Sequence, residues 1–295
     1  MSMNNLKKNI VLMPFNILYK INPKLDLKIL FRLKLGYKLN LKNPKTFNEK
    51  LQWIKLYDKN PLMPICCDKY TVRNHISSKG YSNILNELLW EGFNPEDIPF
   101  DKLPQKYVIK VTHGSTFNII VKDNSNIDRS RIITNCKKWL KSKFLLCYGE
   151  WFYGIEKPRV IVEKYIETDK YYGLLDYKFF CFNGKVKYIY VSTSKEDDDS
   201  YCIDYYNEKW EYIDLRRKGH KSLGVIEKPE KFDEMVKIAE DLAKDFLHVR
   251  VDFFFENGCI YFGEMTFTTS AGFGKIEPFE YDLEMGSHLC LNKNN

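Results

Sequence analysis

The sequence contains no G-x-G-x-x-G stretch, no C-x-x-C pair and no Cys/His spacing suited to zinc. A Rossmann dinucleotide turn, a thioredoxin-like redox pair and a zinc finger therefore have no support. Histidine is scarce at 5 residues, and no convincing Ser-His-Asp or Cys-His arrangement is visible, so nothing points to a covalent nucleophile. No internal repeat or low-complexity tract occurs. The N-terminal run IVLMPFNILYKI is short of the roughly 20 residues a bilayer span needs. It contains Pro14 and lacks a small-residue cleavage site, so it reads as neither anchor nor signal.

What remains is the composition of a soluble globular chain. Its 295 residues are 44% hydrophobic, 29% charged and 15% aromatic, enough to bury a sizeable core as one large domain or two closely packed ones. A net charge of +7, densest before Lys59, favours an anionic partner: a nucleotide, a uronic acid, nucleic acid or anionic lipid. No nucleic-acid module is recognisable, so nucleic acid is set aside. The eight cysteines sit largely in apolar runs and read as reduced thiols of a cytoplasmic protein. The basic segment LKILFRLKLGYKLNLKNPK, with the apolar run before it, fits a core-facing helical pair or a helix pair resting on the inner face of a membrane.

Punctuation divides the chain. Residues 1–67 read as mostly helical. Within them Phe47, Leu51, Ile54 and Tyr57 form an amphipathic stripe that Thr46 is placed to cap. Next come a short helix ending at Gly80, the strand 107–111, a turn at His113–Thr116, the strand NIIVKD, a helix over about 128–144, and the strand PRVIVEKYI. Two hairpins follow, turning at Asn183-Gly184 and Asn257-Gly258, where both residues tolerate positive φ, with the helix FDEMVKIAEDLAKDF between them. Strands and helices in this order predict an α+β fold with antiparallel hairpins.

The strongest chemical signal is RVDFFFENGCIYFGEMTFT. Side chains alternate along a strand, so Arg250, Asp252 and Phe254 share one face, and Glu264 and Thr266 share a face of the partner strand. If those faces coincide, two carboxylates, a hydroxyl and a guanidinium converge. Paired carboxylates repel unless a cation lies between them, and Mg²⁺ favours one or two carboxylates completed by water and phosphate. The competing reading is a surface hairpin of scattered charges. Acidic residues embedded among Val, Phe, Ile, Tyr and Met weigh against it, since unpaired buried charge is costly.

This run resembles the ATP-grasp ligases, whose D-alanine:D-alanine ligase branch carries R-x-D on one strand and E-x-N on the next. More narrowly, KTFNEKLQW, DKY-x-VR, KVTHGS, NIIVKD, DYKFFCFNGK and the final hairpin are similar to the TupA-like (teichuronopeptide-biosynthesis) branch, from about Leu35 to Tyr281. The resemblance implies an ATP-grasp fold: two α+β subdomains clamping ATP, a core over 68–295, a lid-like part at about 107–165, and a short helical region before it. It implies that Asp252 and Glu264 bridge magnesium, two ions in all, to the ATP phosphates, with Thr266 as a weaker oxygen ligand in place of Asn. Arg250 is expected to stabilise the transition states. Lys69, Lys110 and the loop His113-Gly114-Ser115 are expected at the phosphates. Glu163 and the backbone of Lys164, Tyr165 and Ile166 are expected at adenine, Asp176 at the ribose, and Lys178 pointing toward nucleotide or substrate. Two departures stand out. Thr116-Phe117 replaces the family's glycine-rich loop, and residues 1–67 leave no room for the usual preceding α/β domain.

The implied reaction joins a carboxylate to an amine through an acylphosphate, at the expense of ATP. The expected partners are a carboxylate-bearing sugar or glycan and an amine donor. The alternative is a metal-dependent glycosyltransferase using a nucleotide sugar, suggested by the D-x-D within Glu196-Asp197-Asp198-Asp199.

Overall fold

The chain is described here by a computed structural model covering residues 3–170, 173–194, 201–215 and 221–291. The acidic run 196–199 and His220 lie outside the described residues. The N-terminal part forms four helices: α1 (Met3–Ile21), α2 (Pro23–Leu35), α3 (Phe47–Tyr57) and α4 (Leu62–Cys67). Asn22 separates the first two. Its side chain accepts from the Leu25 N–H at 3.0 Å, and Pro23 opens α2 where a missing N–H costs nothing. Thr46 caps α3 as its sequence predicts: Oγ1 accepts from the Glu49 N–H, and Glu49 accepts in return from the Thr46 N–H, both at 3.1 Å. Phe47, Leu51 and Ile54 of the stripe are buried. Tyr57, at the end of the helix, is instead exposed against Trp53 and Lys24.

After α5 (Val72–Ser78), a four-stranded antiparallel sheet is built from β1 (Leu88–Gly92), β2 (Tyr107–Val111), β3 (Asn118–Val121) and β4 (Val160–Lys164), in the order β1-β4-β2-β3. α6 (Arg129–Leu140) follows β3, and Ile132 and Cys136 on it join Ile109, Val111 and Val162 in one hydrophobic cluster. α6 ends before residue 144: the Ser142 N–H closes a tight turn onto Trp139 O at 2.8 Å. β1 has no counterpart in the sequence reading because every residue of it is half-buried, which leaves no period-2 signal.

The second sheet has six antiparallel strands: β5 (Asp176–Phe182), β6 (Lys185–Ser194), β7 (Tyr201–Asn207), β8 (Tyr212–Ile213), β9 (His248–Glu256) and β10 (Cys259–Thr266), ordered β10-β9-β5-β6-β7-β8. Asn183-Gly184 and Asn257-Gly258 all take positive φ, the conformation a two-residue hairpin turn demands. α7 (Phe232–Ala243) covers one face with Met235, Ile238, Ala239 and Leu242, all buried at helical spacing, in a core separate from that of the smaller sheet. α8 (Phe279–His288) closes the chain against α3. There Gly286 lies so close that a Cβ would meet the Lys45 carbonyl at 2.1 Å, so no other residue fits.

Candidate active site

The C-terminal hairpin does bring the carboxylates onto one face, through a feature its residue count conceals. Continued regularly from Glu256↔Cys259, the ladder would set Gly263 opposite Asp252 and Glu264 opposite Val251, on the far face. The register shifts instead after Phe253↔Phe262, and Glu264 pairs with Asp252 and Thr266 with Arg250. A bulge at Gly263 thus turns Glu264 and Thr266 toward Arg250 and Asp252.

Arg250 occupies the centre. Its Nε and Nη2 hold Asp252 Oδ1 and Oδ2 at 2.7 and 2.6 Å, and Nη2 also reaches Glu264 Oε1 at 3.2 Å and Thr266 Oγ1 at 3.1 Å. This is the cation between carboxylates that the sequence calls for, supplied by the chain itself. On the neighbouring strand β5, Lys178 sits opposite Asp252 and donates to its Oδ2 at 2.7 Å while also contacting Asp176. Tyr190 on β6 completes the group, with the Arg250 guanidinium 5.7 Å above its ring.

Lys69 links this cluster to the loop after β2. Its Nζ donates to Gly114 O at 2.9 Å and lies 3.5 Å from Glu264 Oε2. Gly114 and Thr116 both take positive φ, so the glycine-like backbone persists at Thr116 despite its side chain. Phe117 stacks on Trp139 of α6 at 5.5 Å and 12°, anchoring the loop. Ser115 is exposed at its tip. His113 is buried between Phe117 and Phe144, with Nε2 on Ser142 O at 2.9 Å beyond the end of α6.

On the smaller sheet, Lys110 pairs with Glu163 across β2 and β4 at 2.7 Å. Arg73, from α5, takes the other Glu163 oxygen at 3.1 Å and Asn86 O at 2.7 Å. Arg73 lies in the DKY-x-VR motif, but its partner is not readable there, because only the fold sets α5 beside β4. The Lys164 backbone is already engaged: its N–H donates to Glu87 O at 3.0 Å and its carbonyl accepts from Asn86 Nδ2 at 2.8 Å. β4 also ends there, and Tyr165 and Ile166 lie beyond the strand.

The charges balance. Asp176, Asp252 and Glu264 face Lys69, Lys178 and Arg250. Burial draws Lys178 down, but Asp176 and Asp252 outweigh it and hold the ammonium above its ordinary range. Burial lifts Asp176 to about 6, against the pull of Lys178. Glu264 is lifted by burial yet carried down to about 2 by Lys69, Arg250 and Lys178. Mg²⁺ takes hard oxygens and one or two carboxylates, with phosphate and water for the remainder. Asp252 and Glu264 would be that pair; both Asp252 oxygens are held by Arg250 and Lys178 in this structure, and among the described residues no group of three or more His, Cys, Asp or Glu side chains is gathered to hold a metal. A buried Asp176 oxygen has no hydrogen-bond partner among the described residues. The Thr266 hydroxyl donates to Glu264 Oε1 at 3.2 Å and accepts from Arg250, which makes it an orienting group for Glu264.

Two antiparallel sheets with separate cores, Lys110 on the smaller and a carboxylate–arginine cluster on the larger, fit the two-part frame of an ATP-grasp ligase. Within that class the chain belongs to the TupA-like ATP-grasp family, whose profile matches residues 49–290. No curated protein matches it. Among solved structures it is similar to D-alanine–D-alanine ligase from Bacillus anthracis: 20% identity and a TM-score of 0.44, covering 76% of this chain and 67% of that one. The same enzyme from Helicobacter pylori gives 14% identity and a TM-score of 0.43, covering 82% and 69%. A D-cycloserine synthetase gives 15% identity and a TM-score of 0.43, covering 78% and 71%. The chain thus spans about two thirds of the length of these structures.

Proposed function

We propose that this ligase joins the carboxylate of a sugar acid, in a bacterial surface polysaccharide, to an amino acid or other amine. The observation that carries the ligase chemistry is the convergence of Arg250, Asp252 and Glu264 on one sheet face through the Gly263 bulge. A substrate carboxylate oxygen attacks the γ-phosphorus of ATP and ADP leaves. The amine nitrogen then attacks the acyl carbon of the acylphosphate, the carbon–oxygen bond breaks, phosphate departs, and the amine proton is lost to solvent. Arg250 is suited to the negative charge that grows in both steps, and Lys178 holds a proton and a positive charge beside it. On this reading Lys69 and Lys110 serve the phosphate oxygens, and Glu163 with the backbone from Tyr165 serves the base. Bound to Asp252 and Glu264, Mg²⁺ would neutralise phosphate charge; one ion or two fits this donor set.

A small cavity on the same sheet face adjoins the cluster. Phe180, Tyr190, Tyr205 and Leu215 wall it, and the segment carrying Thr269, Ser270 and Lys275 borders it. Tyr190 belongs to both the cavity and the Arg250 cluster. At about 40 Å³ the cavity is far smaller than the several hundred cubic ångströms of an ordinary small-molecule site, so on this reading an acceptor ring lies against its aromatic rim and not within it. On this reading the enzyme works in the cytoplasm, at the inner face of the membrane. Incubation with ATP, Mg²⁺, uronic-acid acceptors and a panel of amines should release phosphate and give a product heavier by the amine less water. ADP formation that no carboxylate stimulates would overturn the assignment.

A further inference from the structure

α1 and α2 bury one side each and leave an apolar side uncovered. Leu12, Leu27, Leu30 and Phe31 face inward and are buried. Met13, Ile17 and Ile21 recur on the other side of α1, and Leu25, Ile29 and Leu33 on the other side of α2, each set at steps of four. These six are 38–77% exposed. Single exposed apolar residues need no explanation, but a helical stripe repeated on two consecutive helices does.

The charges around the stripe identify what covers it. Lys20, Lys28 and Arg32 are exposed on the same two helices, on the flanks of the apolar positions. Between Met1 and Leu41 the chain has eight basic residues and one acidic residue, Asp26, and Asp26 is fully buried. The outward surface of the pair is therefore apolar at its centre and purely cationic at its edges. A second copy of the chain would bring like charges together there. An anionic bilayer meets both features, taking the apolar stripe among its acyl chains and the cations at its headgroups. None of the described helices is long and apolar enough to cross a membrane, and α1 carries Pro14 within it, which suits the pair to resting on such a bilayer.

We infer that the outer face of α1–α2 is a docking surface for an anionic lipid bilayer, holding the ligase at the membrane. This specifies the membrane element of the function proposed above and does not depend on the ligase chemistry. The test is sedimentation of the full chain with vesicles of phosphatidylcholine alone or mixed with phosphatidylglycerol. Binding to the mixed vesicles should be tighter by at least about tenfold. Ile17→Asn/Ile29→Asn/Leu33→Asn should lose binding to both at an unchanged melting temperature, and Lys20→Gln/Lys28→Gln/Arg32→Gln should lose the preference for the anionic lipid. Wild type left in the supernatant with both vesicles, or an apolar variant pelleting like wild type, overturns the surface. So does light scattering that shows a dimer which the apolar variant splits, since a second copy would then cover the face. ADP formation with soluble substrates, read on the same samples, keeps failure of docking distinct from failure of the ligase reading.

Discussion

Asp252 and Glu264 stand opposite each other on β9 and β10, joined through Arg250 Nη2 at 2.6 and 3.2 Å. Their opposition is costly without a cation, and the guanidinium that relieves it in this structure is the group a phosphate would otherwise attract. Asp252→Asn and Glu264→Gln should each lower ATP-to-ADP turnover by at least about a hundredfold. Asp252 is buried beneath Arg250 and Lys178, so its variant should also lose about 3 kcal/mol of stability and melt at a lower temperature, because two cations lose their counter-charge. Glu264 is more exposed, and its variant should melt near wild type. Full turnover in both variants would refute the metal and phosphate roles given to the pair.

The bulge at Gly263 makes a separate prediction. A Cβ there would lie 3.0 Å from the Asp252 carbonyl and 3.4 Å from the Asp252 Cβ, so any side chain pushes β9 and β10 apart where the two carboxylates meet. Gly263→Val should cost about 1–3 kcal/mol of stability and at least about tenfold in turnover. Denaturant melts alongside ADP formation separate the two. A variant that is destabilised yet fully active would show that the alignment of Glu264 with Asp252 is not needed.

Arg73 and Lys110 compete for one carboxylate, that of Glu163. With Arg73 present the Glu163 charge is shared, and Lys110 is freer to turn to a phosphate. Arg73→Ala should therefore raise KM for ATP about tenfold with little change in kcat, and shrink the melting shift that ATP with Mg²⁺ produces. Arg73→Lys should restore only part of this, since one ammonium cannot hold Glu163 and Asn86 O as the forked guanidinium does. An unchanged KM in Arg73→Ala would leave Arg73 a structural residue.

How legible all this was depends on the distance over which each feature is encoded. The capping box at Thr46 and the turns at Asn183-Gly184 and Asn257-Gly258 rest on neighbouring residues, and their local chemistry decides them. Arg250, Asp252 and Glu264 are legible as residue types but their convergence is not, because a bulge moves a strand by one residue without altering composition. β1 gave no alternation to read. Arg73 at Glu163 and the turn of His113 toward Ser142 depend on contacts between elements far apart in sequence, which no periodicity reports. The engagement of the Lys164 backbone is hidden for the same reason: its partners, Asn86 and Glu87, sit just before β1, which has no pattern to read.

His248 provides a test of the core independent of turnover. It is fully buried among Phe47, Phe180 and Phe182, with Nδ1 on Cys181 O at 2.8 Å and Nε2 without a partner among the described residues. Burial is the main cause that holds its pKa down to about 3, against the favourable Cys181 carbonyl. The unfolded imidazole takes a proton near pH 6.5 and the folded one does not. A group depressed on folding contributes stability that is complete above the unfolded pKa and is lost as pH falls toward the folded one. Between pH 6.5 and 5 the native state should thus lose about 2 kcal/mol through this residue alone. His248→Asn has no such proton to exclude. Its melting temperature should be lower than wild type at pH 7.5, because a packed ring is gone, but should fall less steeply on acidification. Parallel slopes for the two proteins over that window would mean that His248 accepts a proton in the folded core, and the dry aromatic surround could not then be its environment.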